Sequence, residues 1–282
     1  MKTYRAKRIL LAIPMLFAIS FIAFMLINIM PSDPAEVALR VNEIIPTEEA
    51  IESMRMELGL NDPFFVRYFN WLGDCLRLDF GVSYTNTTRK VFDEIVRCLP
   101  ATIDLAIISL VIVIVVSIPV GVLCAVYKDS LFDRITRSLI FIGTAMPNYW
   151  LGLLLVYVFS LKLGIFPSSG ATTMKHYILP AITLSMTYIS TYVRLIRNSM
   201  LDNMKENYVF YAKVRGLKNK VIICKHVLKN SLQSCMTALG MSIVQLMAGT
   251  VIVENIFAIP GIGRLCISAI FNRDYPVIQA YI

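Results

Sequence analysis

The stretch YVFYAKVRGLKNKVIICKHVLKN, residues 208–230, is crowded with lysine and arginine, divided by Gly216, and set between runs that carry no charge. Residues 177–193 before it and 230–253 after it contain no Asp, Glu, Lys or Arg, and the same holds for residues 9–30, 105–126 and 138–161. A helix crosses a membrane with about 20 apolar residues, because the hydrocarbon core is about 30 Å thick and each helical residue rises about 1.5 Å. These runs predict an all-α, polytopic helical bundle with five complete spans. The closing residues YPVIQAYI would cover only about 12 Å as helix, so the chain reads as ending at the start of a sixth span.

Composition agrees with lipid as the main solvent. The 282 residues are 57 % hydrophobic and only 16 % charged, with a mean hydropathy of +0.66, whereas soluble domains are about half apolar and a quarter charged. The net charge of +8 does not point to nucleic acid, because the surplus lies in segments that flank the spans. Basic loops stay on the cytoplasmic side. The N-terminal tail with Lys2, Arg5, Lys7 and Arg8, the loop with Lys128, Arg134 and Arg137, and the loop 194–229 all fall inside if the N-terminus is cytoplasmic. The acid-rich stretch 33–94 then falls outside. The basic start is like that of a secretion signal, but its apolar run is too long and no small-residue cleavage pattern follows Met30, so it reads as a retained first helix.

The external stretch has its own helix signals. Thr47 after Pro46 suits a helix cap and Gly59 a stop; Asp62 and Pro63 suit the opening of a second helix. That helix would place Phe64, Tyr68, Trp71, Leu72, Cys75 and Leu76 on one face, either packed on neighbours and the lipid interface or free to dock a partner. Asn86, Thr87 and Thr88 form a three-residue glycosylation pattern of low specificity. The six cysteines include no CxxC pair; Cys75, Cys98 and Cys266 are predicted outside, where one disulfide could form.

Catalytic patterns are missing: there is no GxxxxGK(S/T) loop, no GxGxxG, no HExxH and no GxSxG. The two histidines, His176 and His226, are predicted on opposite sides of the membrane and cannot share a metal. The methionines Met241 and Met247 around Gln245 do not define a metal site, since methionine more often fills core gaps. A polytopic chain without catalytic groups reads as a conduit or a scaffold. Met146, Pro147 and Asn148 interrupt the third run, either as a packed kink or as a polar stretch of pathway wall.

In residues 208–230, Tyr208, Tyr211, Ala212 and Arg215 can lie along one helix, Gly216 provides a turn, and Val221, Ile222, Lys225, His226 and Lys229 can form a second short helix. This order resembles the cytoplasmic EAA-type coupling loop of importer permeases in ATP-binding-cassette transporters. Ala212 and Gly216 match its alanine and glycine, while Tyr211 replaces its acidic residue. PATIDLA at 100–106, MPNYWLG at 146–152, ENIFAIPGIGR at 254–264 and AIFNRDYPVIQ at 269–279 are similar to the dipeptide, oligopeptide and nickel branch, nickel-type subunits above all.

The resemblance implies a type I importer permease of the bacterial inner membrane, carrying nickel or a nickel chelate, with dipeptides or oligopeptides as the alternative cargo and a non-transporting scaffold or sensor as the rival class. It implies a second homologous permease, two ATPase subunits that use ATP and magnesium, an external solute-binding protein and membrane lipid as partners, no nucleic acid, and no cofactor on this chain. It assigns ATPase coupling to Tyr208, Tyr211, Ala212, Arg215, Gly216 and His226, and makes Met146, Asn148, Gln245, Glu254 and Asn255 candidates for the pathway or external mouth. Glu254 and Asn255 could equally cap and anchor the end of the fifth span. The layout is then residues 1–30 as N-terminus and first helix, 31–100 as an external helical segment, and 101–282 as permease core with the coupling loop 194–230 and an external segment 254–276. Family members complete a sixth span, so the expected chain is shortened relative to them.

Overall fold

A computed structural model describes residues 2–29, 33–85 and 88–281; the pattern at Asn86 and Thr87 lies outside them. Among the described residues the chain is helical, with a single isolated bridge between Val82 and Lys90. Two compact units divide it, one formed by residues 1–99 with 265–282, the other by residues 100–264.

In the first unit, α1 (Lys2–Ile29) packs on α4 (Phe64–Leu76) through aromatic rings. Phe21 meets Phe64 and Tyr68 edge-on at 5.8 and 5.3 Å, and Phe24 lies 5.4 Å from Trp71. The Tyr68 hydroxyl is not orphaned by this burial, because it shares a 2.9 Å hydrogen bond with Ser20 Oγ. Packing on a neighbour is thus what most of the predicted face does; Leu76 is the exception, 79 % exposed and off that face. Asp62 does not cap α4: Pro63 occupies the cap position and no side chain caps the helix.

The other two short helices start as their residue types require. Asp33 accepts from Ala35 N to open α2 (Pro34–Val41), and Thr47 accepts from Ala50 N to open α3 (Glu48–Glu57). Asp33 also receives Arg55 at 2.7 Å, which ties the two helices together. Gly59 ends this run at φ +64°, a backbone region that glycine enters freely.

The same unit holds α13 (Tyr275–Tyr281), preceded by Asp274, whose buried carboxylate accepts from Tyr84 N at 3.1 Å and from the Thr85 hydroxyl at 2.9 Å. Burial pushes the neighbouring Tyr84 phenol well above its ordinary range, with the Asp274 charge adding to the effect.

The second unit is organised around α8 (Met174–Asn203). It packs against α6 (Leu131–Ala145), α7 (Asn148–Leu155) and α11 (Leu228–Ile256), and Leu179, Leu184, Leu246, Val253 and Phe257 form the central core. Gly121 of α5 (Val91–Val126) lets that helix approach α8 closely, since a Cβ there would sit 2.8 Å from Ile196.

The run 138–161 is not one straight span. α6 and α7 meet at a bend of 104°. Pro147 supplies no N–H and pushes Met146 out of helical geometry to φ −84°, ψ 125°. α7 then continues as a π-helical turn, Val156–Lys162. Among the described residues, three helices are long and apolar enough to cross a membrane, at residues 10–29, 91–126 and 235–256, or four if the bent pair counts as one. The expected span at 177–193 lies inside α8, whose Thr183, Ser185 and Ser190 are buried among neighbouring helices and return their hydroxyls to backbone carbonyls. Such a helix needs less apolar surface because protein surrounds it.

A buried ion pair joins α6 to α8. Asp133 is fully buried and accepts Arg197 Nε and a terminal guanidinium nitrogen, both at 2.7 Å. Breaking such a buried pair costs about 3–5 kcal/mol, since Asp133 would lose both 2.7 Å hydrogen bonds and keep only the exposed Arg137, 3.6 Å away, as counter-charge. Arg197→Met is therefore expected to lower the melting temperature of the detergent-solubilised protein sharply, and Arg197→Met combined with Asp133→Leu to recover most of the loss.

Candidate functional site

The basic insert forms α9 (Asn207–Val214), a glycine turn, and α10 (Asn219–Val221). α10 runs through a π-helical turn, Ile222–Val227, directly into α11. The second half of the insert is thus the first part of a long helix rather than a separate short one.

The turn has a defined hydrogen-bond pattern. Gly216 adopts φ +75°, its N–H donates to Lys213 O at 2.9 Å, and the Leu217 N–H donates to Ala212 O at 3.2 Å. These two bonds satisfy the last carbonyls of α9 in a Schellman cap, which asks for glycine at its left-handed position. No atom lies within 4 Å of where a Cβ on Gly216 would be, so the demand is on the backbone angle and not on space.

The coupling candidates separate onto two faces. Ala212 is buried and Tyr208 half-buried against a core of Ile196, Met200, Val209, Ile222 and Val227, and the Tyr208 hydroxyl donates to Asn203 Oδ1 at 3.1 Å. Tyr211 points away, 63 % exposed, beside Phe210 at 64 % and Val214 at 69 %. Arg215 and Gly216 are exposed at the helix end, and His226 is half-buried in the π turn. Phe210 and Val214 complete the exposed apolar ridge. Sequence reading passed over them, although their spacing of four residues is that of one helical face.

The five pathway or mouth candidates have different surroundings. Asn148 opens α7 and accepts from the Thr187 hydroxyl at 2.9 Å, Met146 is half-buried at the bend, and Gln245 is exposed one turn beyond Met241 on α11. Asn255 turns back on its own helix to donate to Val251 O.

Glu254 is fully buried near the end of α11. Its carboxylate accepts from the Thr102 hydroxyl at 2.7 Å and from the Arg264 N–H at 2.9 Å, while the same threonine oxygen accepts from the Ile262 N–H at 2.9 Å. The carboxylate therefore supplies partners for the exposed N–H groups at the start of α12 (Ile262–Asn272), where a negative charge is also favoured. Gly261 and Gly263 leave the room it needs; a Cβ on Gly263 would fall 2.6 Å from Val251 Cα. In this arrangement Glu254 anchors a turn.

Among the described residues no disulfide joins the cysteines. Among the described residues no group of three or more His, Cys, Asp or Glu side chains is placed to hold a metal ion.

This bundle, with its exposed helix–glycine insert, has a counterpart among solved structures. An inward-facing methionine ABC transporter, MetNI, superposes with a TM-score of 0.54 at 16 % identity, over 66 % of this chain and 87 % of that one, which shows a shared fold. Residues 117–282 match the family model of the binding-protein-dependent transport system inner membrane component, and residues 1–106 match the N-terminal model of such membrane components. The chain belongs to this family, the permease subunits of binding-protein-dependent ATP-binding-cassette importers.

Its relatives span several cargoes. The metal-staphylopine import system permease CntB of Staphylococcus aureus is 39 % identical over 98 % of this chain and 88 % of its own length. The oligopeptide permease AppB of Bacillus subtilis is 36 % identical over 99 % and 91 %, and the glutathione permease GsiC of Escherichia coli 34 % over 100 % and 91 %. All are permease subunits and not enzymes.

The Glu254 anchor makes two expectations. Glu254→Gln keeps the shape but turns an amide N–H toward a donor, which should cost about 1–3 kcal/mol. Gly263→Ala must displace the α11 backbone and should reduce the yield of folded protein more than Gly240→Ala, where nothing lies within 4 Å. Thermal melting and size-exclusion profiles of the purified variants check both.

Proposed function

We propose that this chain forms, with a second homologous permease, the membrane pathway of an importer for nickel or another metal held in a small organic chelate. The metal-staphylopine permease among its relatives supports this cargo class. A metal delivered inside a chelate brings its own ligands and needs none from the pathway. Peptide import is the second reading, supported by the oligopeptide and glutathione relatives.

On this reading two ATPase subunits bind ATP and magnesium, and an external solute-binding protein delivers the cargo. Each ATPase presents a groove to one permease, and α9 seats its ridge of Phe210, Tyr211 and Val214 there, as amphipathic helices do in partner grooves. Ala212 and Tyr208 hold α9 to the bundle, Gly216 sets the angle at which the chain leaves it, and Arg215 and His226 flank the contact. The exposed ridge on a short, well-capped helix is the observation that carries this role. The N-terminus and residues 208–230 face the cytoplasm, as the lysine and arginine distribution requires. Met146, Asn148 and Gln245 are candidates for the pathway wall, and Asn255 for the external mouth.

In cells lacking their own carriers, expression with the neighbouring transporter genes should give ATP-dependent nickel uptake that excess dipeptide does not compete. Dipeptide-sensitive peptide uptake without nickel would move the assignment to the peptide cargo. Phe210→Ala with Tyr211→Ala should lower uptake at least tenfold with membrane insertion unchanged, since truncating each buried aromatic anchor of an interface costs about 2 kcal/mol or more. Gly216→Trp should have a similar effect, and normal uptake by either variant would remove α9 from the coupling role.

Thiol labelling tests the orientation. Exposed Cys224 should react with a membrane-impermeant maleimide from the cytoplasmic side of inverted vesicles and not from outside whole cells. The Cys75 thiol, pushed up to about 11 by burial with Asp74 adding to it, should react slowly at neutral pH from either side.

A further inference from the structure

A cavity of about 300 Å³ lies where α6 meets α8, with Phe141 and Val193 among its apolar walls and Arg137, Arg194 and Arg197 on its polar side. Arg137 and Phe141 also border a shallower hollow that Arg134 lines. Four guanidinium groups therefore gather at this end of the two helices.

Their charge is only partly answered. Arg197 is committed to Asp133, and Arg137 stands 3.6 Å from the same carboxylate and 3.9 Å from that of Asp129. Among the described residues, the side chains of Arg134 and Arg194 have neither an ion pair nor a hydrogen bond. Four arginines facing two aspartates leave two positive charges, next to apolar surface that opens outward at Phe141, which is 74 % exposed.

We propose that this cavity seats the phosphate of an anionic phospholipid headgroup, with the first methylenes of its acyl chains along Ile140 and Phe141. The guanidinium fork matches phosphate oxygens. Basic pockets between membrane helices take anionic headgroups, each arginine near the surface contributing about a fivefold gain in binding. A free phosphate would satisfy the arginines but gain nothing from the apolar walls. The bound lipid would brace α6 against α8 just ahead of the coupling insert. The choice of the cytoplasmic leaflet rests on the orientation proposed above; the presence of the site does not.

The test uses the transporter assembled with its partner subunits, in phosphatidylcholine nanodiscs doped with phosphatidylglycerol, and counts retained lipid by native mass spectrometry, which reads binding in either leaflet. The wild type should retain phosphatidylglycerol, and Arg134→Gln with Arg194→Gln, the two arginines without an acidic partner, should weaken retention about 25-fold, the product of two fivefold losses. Arg134→Lys with Arg194→Lys should keep most of it. The Gln variant should melt like the wild type in pure phosphatidylcholine, which separates loss of the site from loss of the fold. Equal retention by wild type and Gln variant would overturn the proposal, as would release of the lipid by inorganic phosphate. So would a photo-crosslinker at Phe141 that captures an ATPase subunit instead of lipid.

Discussion

A carboxylate cut off from water must be answered by donors within the protein, and three such groups hold the corners of this structure. Asp133, Glu254 and Asp274 are each almost wholly inaccessible to solvent, and each sits in the first turn of a helix, near the end of one or just before one. Each gathers donors from chain segments that are distant in sequence: a guanidinium for Asp133, a hydroxyl and a backbone N–H for Glu254, backbone N–H and hydroxyl groups for Asp274. In a bilayer the hydrophobic effect does little to choose between helix pairings, because lipid tails are as apolar as the side chains they would replace. Buried polar contacts with definite geometry make that choice instead.

The same logic explains why the most polar of the long helices, α8, is the central one. Its serines and threonines return hydrogen bonds to their own backbone and are enclosed by α6, α7 and α11. The more apolar helices face outward. Small residues at the contacts, such as Gly121, where a Cβ would fall 2.8 Å from Ile196, allow the close approach through which van der Waals packing acts.

The segment from Asn207 to Val221 reverses this pattern of burial. α9 is attached through Val209 and Ala212, ends in a Schellman cap, and presents Phe210, Tyr211 and Val214 outward. An apolar ridge on a rigid, capped helix is poorly served by water and well matched to a partner's groove. Because α10 and the π turn lead without a break into α11, displacement of this helix pair would be felt along a membrane-crossing element.

Much of this was legible in the order of residues. Uncharged runs of about 20 residues announced membrane helices because a bilayer core has a fixed thickness, and the stretch at 208–230 carried its own turn signal at Gly216 together with the pattern of an importer permease. Thr47 and Gly59 named their helix ends because capping is a local event between neighbours in sequence. What sequence could not supply was pairing over long separations. Glu254 read equally well as a mouth residue or an anchor until Thr102 and Arg264 closed around it, and run 138–161 read as one span until the chain turned by 104° at Pro147. Composition and local chemistry thus determined that this chain is a helical membrane protein, and its resemblance to importer permeases gave the class; which polar groups face each other, and which face of α9 stays open, was decided only when tertiary packing brought distant donors to buried acceptors.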